Sequence, residues 1–142
     1  LGLETLDVRY QRQAANALYL AESLREWGNI RRVNYIGLKD NPYYELAQRQ
    51  FGHTAGAMLT IDLQSKEHCF RMLNRLRLIH RATNLFDSRT LAIHPASTIF
   101  GLFSERQLEQ MDVRQTTIRL SVGLEDADDL LADIQQALQD DL

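Results

Sequence analysis

The sequence predicts an α+β domain, in which a small, mainly antiparallel sheet of about four strands has helices covering one face. Two patterns carry this prediction. Apolar and polar residues alternate in segments 57–63 and 117–122, as in strands with one buried face. In segments 3–27 and 124–138 apolar residues recur at steps of three and four, as on one face of a helix. These segments follow one another without an internal repeat or a low-complexity tract, so we expect one layered domain.

The first helix is predicted over residues 3–27, where an apolar stripe is interrupted at Gln13. Gly28 ends this helix. A helix of this length at the start of a domain is typical of a connector to another domain, and nearly as typical of an ordinary packing helix. A short strand is predicted at 33–36 and, after a turn, a short helix over 43–51.

The central part of the chain predicts the alternating strand at 57–63 and then a second long helix. Ser65 is a good N-cap for this helix, whose apolar stripe runs to Ile79. Cys69 lies in the stripe and is interpreted as a small buried hydrophobic residue, not as a nucleophile. The opposite side carries most of the basic residues of this region, which we expect to form a solvated face: Arg71, Arg75, Arg77 and Arg81.

The last third of the chain begins with a polar, irregular segment at 82–89. A strand is predicted at 91–96, and Pro95 marks its end because proline cannot donate to a ladder. A short helix near 104–110 leads to the last strand, which Gly123 closes. The final helix then opens with four acidic residues, where the helix dipole favours negative charge.

The composition limits the classes of function. With 142 residues the chain has room for one domain, and the formal charge of -3 argues against a dedicated nucleic-acid binder. No segment is long and apolar enough to span a bilayer, and no signal peptide is visible. A single cysteine fits a reducing, cytoplasmic compartment. The four histidines lack ligand spacing, and neither a phosphate-binding loop nor a nucleophile elbow occurs, so we expect no metal site and no serine triad.

Arg119 is the residue of most interest, because it lies on the polar side of the last strand. A guanidinium on a half-buried strand is costly unless a carboxylate or phosphate meets it. Pairing with a structural carboxylate and lying along the surface are the commoner explanations for such a residue, and binding an anionic ligand is the third. The residues alone leave these three explanations open.

Two segments together resemble a known family. ATNLFDSRTLAIHPAST (82–98) and IRLSVGLEDADDLLADIQQAL (118–138) look like the C-terminal domain of the pyridoxal-phosphate (PLP)-dependent enzymes of cysteine and methionine metabolism, which have fold type I. GLETLDVR (2–9) and GAMLTIDL (56–63) also fit this family. The resemblance implies that residues 1–142 are a single C-terminal domain with a connector helix at its start, and that the N-terminal PLP-binding domain is absent from this chain.

The resemblance also implies roles for particular residues. The arginine of this motif grips the α-carboxylate of the amino-acid substrate, which gives that role to Arg119, and Asn84 would meet the same carboxylate. Ser97, Thr98 and Ile99 would form a wall of the site. The NLFD segment (84–87) is closer to the O-acetylhomoserine sulfhydrylases than to many lyases of the family, although a phenylalanine takes the place of a usual glycine.

Catalysis in this family depends on PLP bound to a lysine in a Ser-x-Thr-Lys context. Neither Lys39 nor Lys66 has that context, so we expect no catalytic or cofactor-binding residue in this chain and no activity from it alone. The resemblance implies that the parent enzyme is a homo-oligomer. It also leaves a cystathionine synthase or lyase, or a methionine γ-lyase, as alternatives to the sulfhydrylase. A stand-alone amino-acid-binding or assembly module without catalysis is the alternative from another class.

Overall fold

A computed structural model describes residues 2–139, and within that range the chain forms five strands, five α-helices and one 3-10 turn around one sheet. The strands are β1 (Arg32–Asn34), β2 (Met58–Asp62), β3 (His80–Arg81), β4 (Leu91–Ile93) and β5 (Thr117–Ser121). The helices are α1 (Leu6–Leu24), α2 (Tyr44–Phe51), α3 (Lys66–Arg75), α4 (Glu105–Gln110) and α5 (Ala127–Leu138), with the 3-10 turn at Pro95–Ser97. None of the helices in this range has the length and apolarity to cross a membrane.

The sheet has the order β1-β2-β5-β4-β3. β1 with β2, β2 with β5 and β4 with β5 are antiparallel, whereas β3 lies parallel to β4. The α+β class is therefore correct, and three of the four strand pairings are antiparallel as predicted, but the sheet has five strands instead of about four and is mixed because β3 is parallel to β4.

The additional strand, β3, lies where the sequence predicts the end of a helix. The apolar stripe of α3 runs to Ile79, yet the helix ends at Arg75. The carboxylate of Asp133 on α5 accepts hydrogen bonds from the backbone N–H groups of Arg77, Leu78 and Ile79, each at 2.9 Å. These bonds replace the helical ones, so the chain leaves α3 in an extended conformation and reaches β4. The residue responsible is 54 to 56 positions away, beyond the reach of a local pattern.

The apolar core lies between one face of the sheet and the helices α1, α3 and α5. Ile118, Leu120 and Val122 are fully buried on this face, as the alternation predicts, and Leu59 and Ile61 of β2 lie beside them. Successive strand residues point to opposite faces. The central strand β5 therefore presents a second, polar row to the other face of the sheet.

The ends of the elements follow local chemistry. Ser65 caps α3 as predicted, since its hydroxyl oxygen accepts the N–H of His68. α5 begins three residues later than the apolar spacing indicates, because the side chain of Asp126 accepts the N–H of Asp128 and forms the cap. The predicted strand at 91–96 ends at Ile93, and the chain turns at Pro95 into the 3-10 turn.

Candidate functional site

Arg119 lies in the middle of the central strand, on the face opposite the helical core. Its neighbours across the ladder are Thr60 on β2 and Ile93 on β4. The residue is half-buried, and burial lowers the pKa of its guanidinium from the ordinary arginine value. The sheet therefore holds a cation in a fixed position, where removal from water makes an anionic partner favourable.

The hydrogen bonds of Arg119 leave much of its capacity unused. Its Nη2 donates to the hydroxyl of Thr83 at 3.3 Å and to the backbone carbonyl of Asn84 at 3.4 Å, both neutral acceptors at long distance. Its Nε is buried and has no hydrogen-bond partner. Within residues 2–139 no carboxylate forms an ion pair with this guanidinium. A carboxylate placed between Nε and Nη2 would satisfy both nitrogens.

Arg119 lines a cavity together with the carboxylates of Asp62 and Asp112, and two other arginines, Arg32 and Arg114, are already neutralised by these carboxylates. Arg114 lies 2.6 Å from the carboxylate of Asp62 and 2.7 Å from that of Asp112. Arg32 lies 3.1 Å from Asp112. Thr117 adds a hydrogen bond from its hydroxyl to Asp62. Among the described residues that line this cavity, Arg119 is therefore the cation that still lacks an anion.

The cavity has a volume of about 300 Å³, which is enough for a small ligand. Arg119 and the Asp62 network provide its charged part. The apolar part of the lining comes from the segment that follows β4: Pro95, Ile99, Phe100, Met111 and Val113. A ligand with an anionic end and a less polar body matches this arrangement.

Asn84 contacts Arg119 with its backbone and not with its side chain. Its carbonyl oxygen accepts from Arg119, whereas its side-chain amide donates to the carboxylate of Asp87 at 3.1 Å. The N–H of Leu85 donates to the side-chain oxygen of Asn84 at 2.9 Å. A backbone hydrogen bond from Arg89, and then the bond from Asn84, lower the pKa of Asp87. The side chain of Asn84 therefore stabilises the turn that places its own backbone beside Arg119.

Phe86, where the family resemblance implies a glycine, has a positive φ of 53°. Glycine adopts this left-handed conformation without the penalty that a side chain brings. The ring of Phe86 lies 6.0 Å from the ring of Tyr10 on α1, and this contact offsets part of the backbone penalty.

The three residues predicted to form a wall do not act together. Ile99 lines the Arg119 cavity, whereas Ser97 and Thr98 line a neighbouring cavity of about 340 Å³ that also includes Thr83. The hydroxyl of Ser97 is bonded to Nδ1 of His94 at 2.7 Å, and that of Thr98 donates to the carbonyl of His94 at 2.7 Å. These two hydroxyls are thus engaged in the turn after β4.

His94 has a structural role in this turn. It is buried, and its Nε2 lies 2.8 Å from the carbonyl oxygen of Gln115. That nitrogen must carry a proton to donate to a carbonyl, and Nδ1 makes the bond to Ser97.

Buried polar residues around the 82–90 segment were not identified from the sequence. Gln13 on α1 bonds the carbonyls of Asp87 and Val122, and Asn16 bonds those of Gly123 and Glu125. The interruption of the apolar stripe at Gln13 is the sequence signal that could have found this connection.

Gly123 and Thr90 complete the attachment of the segment to β5. The carboxylate of Glu125 accepts the N–H and the hydroxyl of Thr90, each at 2.7 Å, and that hydroxyl accepts the N–H of Gly123 at 2.8 Å. A Cβ at position 123 would lie 2.5 Å from the backbone carbon of Arg89. Only glycine permits this approach, which brings the 82–90 segment to the end of the strand that carries Arg119.

The two lysines of this chain lie away from Arg119. Lys39 lines a cavity between α1 and α2, and the ammonium group of Lys66 lies over the ring of Phe70 at 5.7 Å. Neither lysine lines the Arg119 cavity. Within residues 2–139, no group of three or more His, Cys, Asp or Glu residues could hold a metal ion.

Comparison with known proteins places these observations in a family context. The sequence profile described as "Cys/Met metabolism PLP-dependent enzyme" matches residues 1–139. O-acetyl-L-homoserine sulfhydrylase 1 of Thermus thermophilus is 43% identical over 139 residues, which are 97% of this chain and 33% of that protein. L-methionine gamma-lyase of Pseudomonas putida is 40% identical over 139 residues, 97% of this chain and 35% of the lyase. The chain thus spans about a third of the length of these relatives.

Two solved structures of similar enzymes also match this chain. A putative O-acetylhomoserine (thiol)-lyase of Campylobacter jejuni, whose crystal structure carries a pyridoxyl-lysine monophosphate, superposes with a TM-score of 0.93 at 40% identity. That match covers 96% of this chain and 33% of the other. The O-acetylhomoserine sulfhydrylase of Wolinella succinogenes superposes with a TM-score of 0.85 at 39% identity, covering 98% of this chain and 36% of the other.

Proposed function

The chain belongs to the Cys/Met metabolism PLP-dependent enzyme family, and on this premise we propose that it supplies the substrate-carboxylate site of a larger PLP-dependent enzyme. Arg119 binds the α-carboxylate of the amino-acid substrate, and the Asn84 backbone borders the same position. The observation that carries the proposal is the state of the Arg119 guanidinium, which is half-buried beside a cavity. Its Nε has no hydrogen-bond partner, and no carboxylate of residues 2–139 forms an ion pair with it.

The alternative explanations for a strand arginine account less well for this geometry. A structural ion pair would look like the one that Arg114 makes with Asp62. A residue lying along the surface would have its nitrogens in water, whereas Nε of Arg119 is buried. Binding of an external carboxylate satisfies the buried nitrogen and orients the substrate at the same time.

The rest of the active site is proposed to lie outside this chain. The proposal assigns residues 1–142 to the C-terminal domain of the enzyme, with α1 as the connector to an N-terminal domain that holds PLP. The relatives are about three times as long, and neither lysine of this chain lines the Arg119 cavity. PLP, bound by that other domain, would supply the electron sink for the chemistry. The chain alone is then inactive, and the complete enzyme is a cytoplasmic homo-oligomer.

O-acetylhomoserine is the proposed substrate, with replacement of its acetate by a sulfur nucleophile. The NLFD segment at 84–87 favours a sulfhydrylase, and two sulfhydrylases are similar to this chain over 97% or more of its length. The apolar wall formed by Ile99 and Phe100 suits a substrate whose body is uncharged. A methionine γ-lyase is the second candidate, because the Pseudomonas putida lyase is 40% identical.

The test is the substitution Arg119→Met in the complete polypeptide that contains this chain. We expect kcat/KM for O-acetyl-L-homoserine to fall by about 30- to 1000-fold, which corresponds to about 2–4 kcal/mol of lost binding. Arg32→Met is the matched control, since Arg32 lines the same cavity but is paired with Asp112. An Arg119→Met enzyme as active as the Arg32→Met enzyme would refute the carboxylate role.

A separate experiment tests whether the cofactor lies elsewhere. The purified 142-residue chain is incubated with PLP and examined for a visible absorption band that borohydride bleaches. We expect no such band. A band that disappears when Lys39 or Lys66 is replaced would show that this chain binds the cofactor itself.

A further inference from the structure

Gln13 interrupts the apolar stripe of α1, and only 3% of its surface is exposed. A buried side-chain amide is costly unless its polar atoms are satisfied. Its Nε2 donates to the backbone carbonyl of Asp87 at 2.8 Å and to that of Val122 at 3.1 Å. One amide group therefore joins α1, the 82–90 segment and the end of β5.

The two carbonyls that Gln13 holds lead back to Arg119 by separate routes. The carboxylate of Asp87 accepts from the side chain of Asn84, and the carbonyl of Asn84 accepts from Arg119. Val122 follows Arg119 by three residues along the chain. These hydrogen bonds and the backbone of β5 form a ring of connections, in which Gln13 links residue 87 of the 82–90 segment to residue 122 at the end of β5.

We propose that Gln13 is a positioning residue for the carboxylate site. It fixes the separation between Asn84 and Arg119, and with it the fit of the substrate carboxylate. This inference rests on the function proposed above. Since the carboxylate is bound in the ground state and in the transition state alike, a displaced loop raises KM and leaves kcat nearly unchanged.

Other bonds hold the later part of the segment without Gln13. The N–H of Leu124 donates to the carbonyl of Ser88 at 2.9 Å, and Glu125 binds Thr90. Removal of the Gln13 amide therefore frees residues 84–87 first, while 88–90 stay attached to β5. For the same reason the variant is expected to fold.

Asn16 provides a matched control on the same helix. It is as buried as Gln13, with 2% of its surface exposed, and its Nδ2 also donates to two carbonyls, those of Gly123 at 3.1 Å and Glu125 at 2.8 Å. Neither carbonyl belongs to residues 84–87. Loss of the Asn16 amide therefore removes the same number of buried bonds without releasing the loop beside Arg119.

The experiment compares Gln13→Met, Gln13→His and Asn16→Leu in the complete polypeptide. Hydrogen exchange of the amides at 85–87 reports on the loop, and KM and kcat for O-acetyl-L-homoserine report on the site. In Gln13→Met we expect faster exchange at 85–87 and a KM raised about tenfold, with kcat within about twofold of the wild type. Gln13→His, which keeps one N–H donor, should be intermediate. Asn16→Leu should leave exchange at 85–87 and KM unchanged.

Three results would overturn the inference: unchanged exchange at 85–87 in Gln13→Met, faster exchange with unchanged KM, or an equal rise of KM in Asn16→Leu. A wild-type KM in Arg119→Met would refute the proposed function itself, and the positioning role with it. The first two results leave the carboxylate role of Arg119 intact, so the two failures are distinguishable.

Discussion

Replacement of Asp133 by alanine should unfold the junction between α3 and β3. The Asp133 carboxylate accepts the N–H groups of Arg77, Leu78 and Ile79 at 2.9 Å each, and it is almost fully buried. Ile79 is also buried, so its N–H would lose its partner without access to water, at about 1–3 kcal/mol. Arg77 and Leu78 are exposed, and water can replace their bonds at a smaller loss.

We therefore expect Asp133→Ala to lower the free energy of unfolding by about 3–4 kcal/mol and Asp133→Asn by about 2 kcal/mol, since the amide keeps one acceptor oxygen. Urea unfolding of the 142-residue chain, followed by circular dichroism, measures both values. Asp129→Ala is the control, because Asp129 is exposed on the same helix and should lose less than about 1 kcal/mol. An Asp133→Ala variant no less stable than Asp129→Ala would refute the explanation given for β3.

Three further predictions concern single groups. Ser121→Ala should leave the chain equally stable or more stable by up to about 1 kcal/mol in urea unfolding, because its buried hydroxyl has no hydrogen-bond partner; a loss above that amount would contradict this. The bonds from Arg89 and Asn84 lower the pKa of Asp87 in the folded chain. They therefore stabilise the fold fully at a pH above the pKa that Asp87 has in the unfolded chain, and this stabilisation is lost as the pH falls through the pKa of the folded chain. The stability difference between wild type and Asp87→Asn should thus shrink between pH 5 and pH 3, and a constant difference would exclude this linkage. Burial raises the pKa of Cys69 to about 12, so iodoacetamide at pH 8 should label the thiol in urea but not in the folded chain.

Local patterns predicted the parts of the fold in which one face of an element is buried. The alternation at 57–63 and 117–122 located β2 and β5 to within one residue, because both strands lie in the middle of the sheet and pack on helices. The apolar spacing also located α1 and α5, although both helices start later than the pattern. β3 was missed because it has two exposed residues and depends on Asp133.

The candidate site was predictable in its central residue and less so in its surroundings. Strand alternation placed Arg119 opposite the core, since that argument needs only the period of the strand. Its lack of a carboxylate partner could not be read from the sequence, because Asp62 is diagonal to it in the register and is taken by Arg114. The side chain of Gln13 bonds Asp87, which is 74 residues away, and Val122, which is 109 residues away. No local sequence pattern encodes contacts at such separations.

The most direct test of the carboxylate role is a crystal structure of the complete polypeptide with an unreactive analogue of O-acetyl-L-homoserine. We expect both carboxylate oxygens of the analogue at about 2.7–2.9 Å from Nε and an Nη of Arg119, a bidentate pair that satisfies the buried nitrogen. An analogue whose carboxylate is held by another cation, with Nε of Arg119 still without a partner, would contradict it.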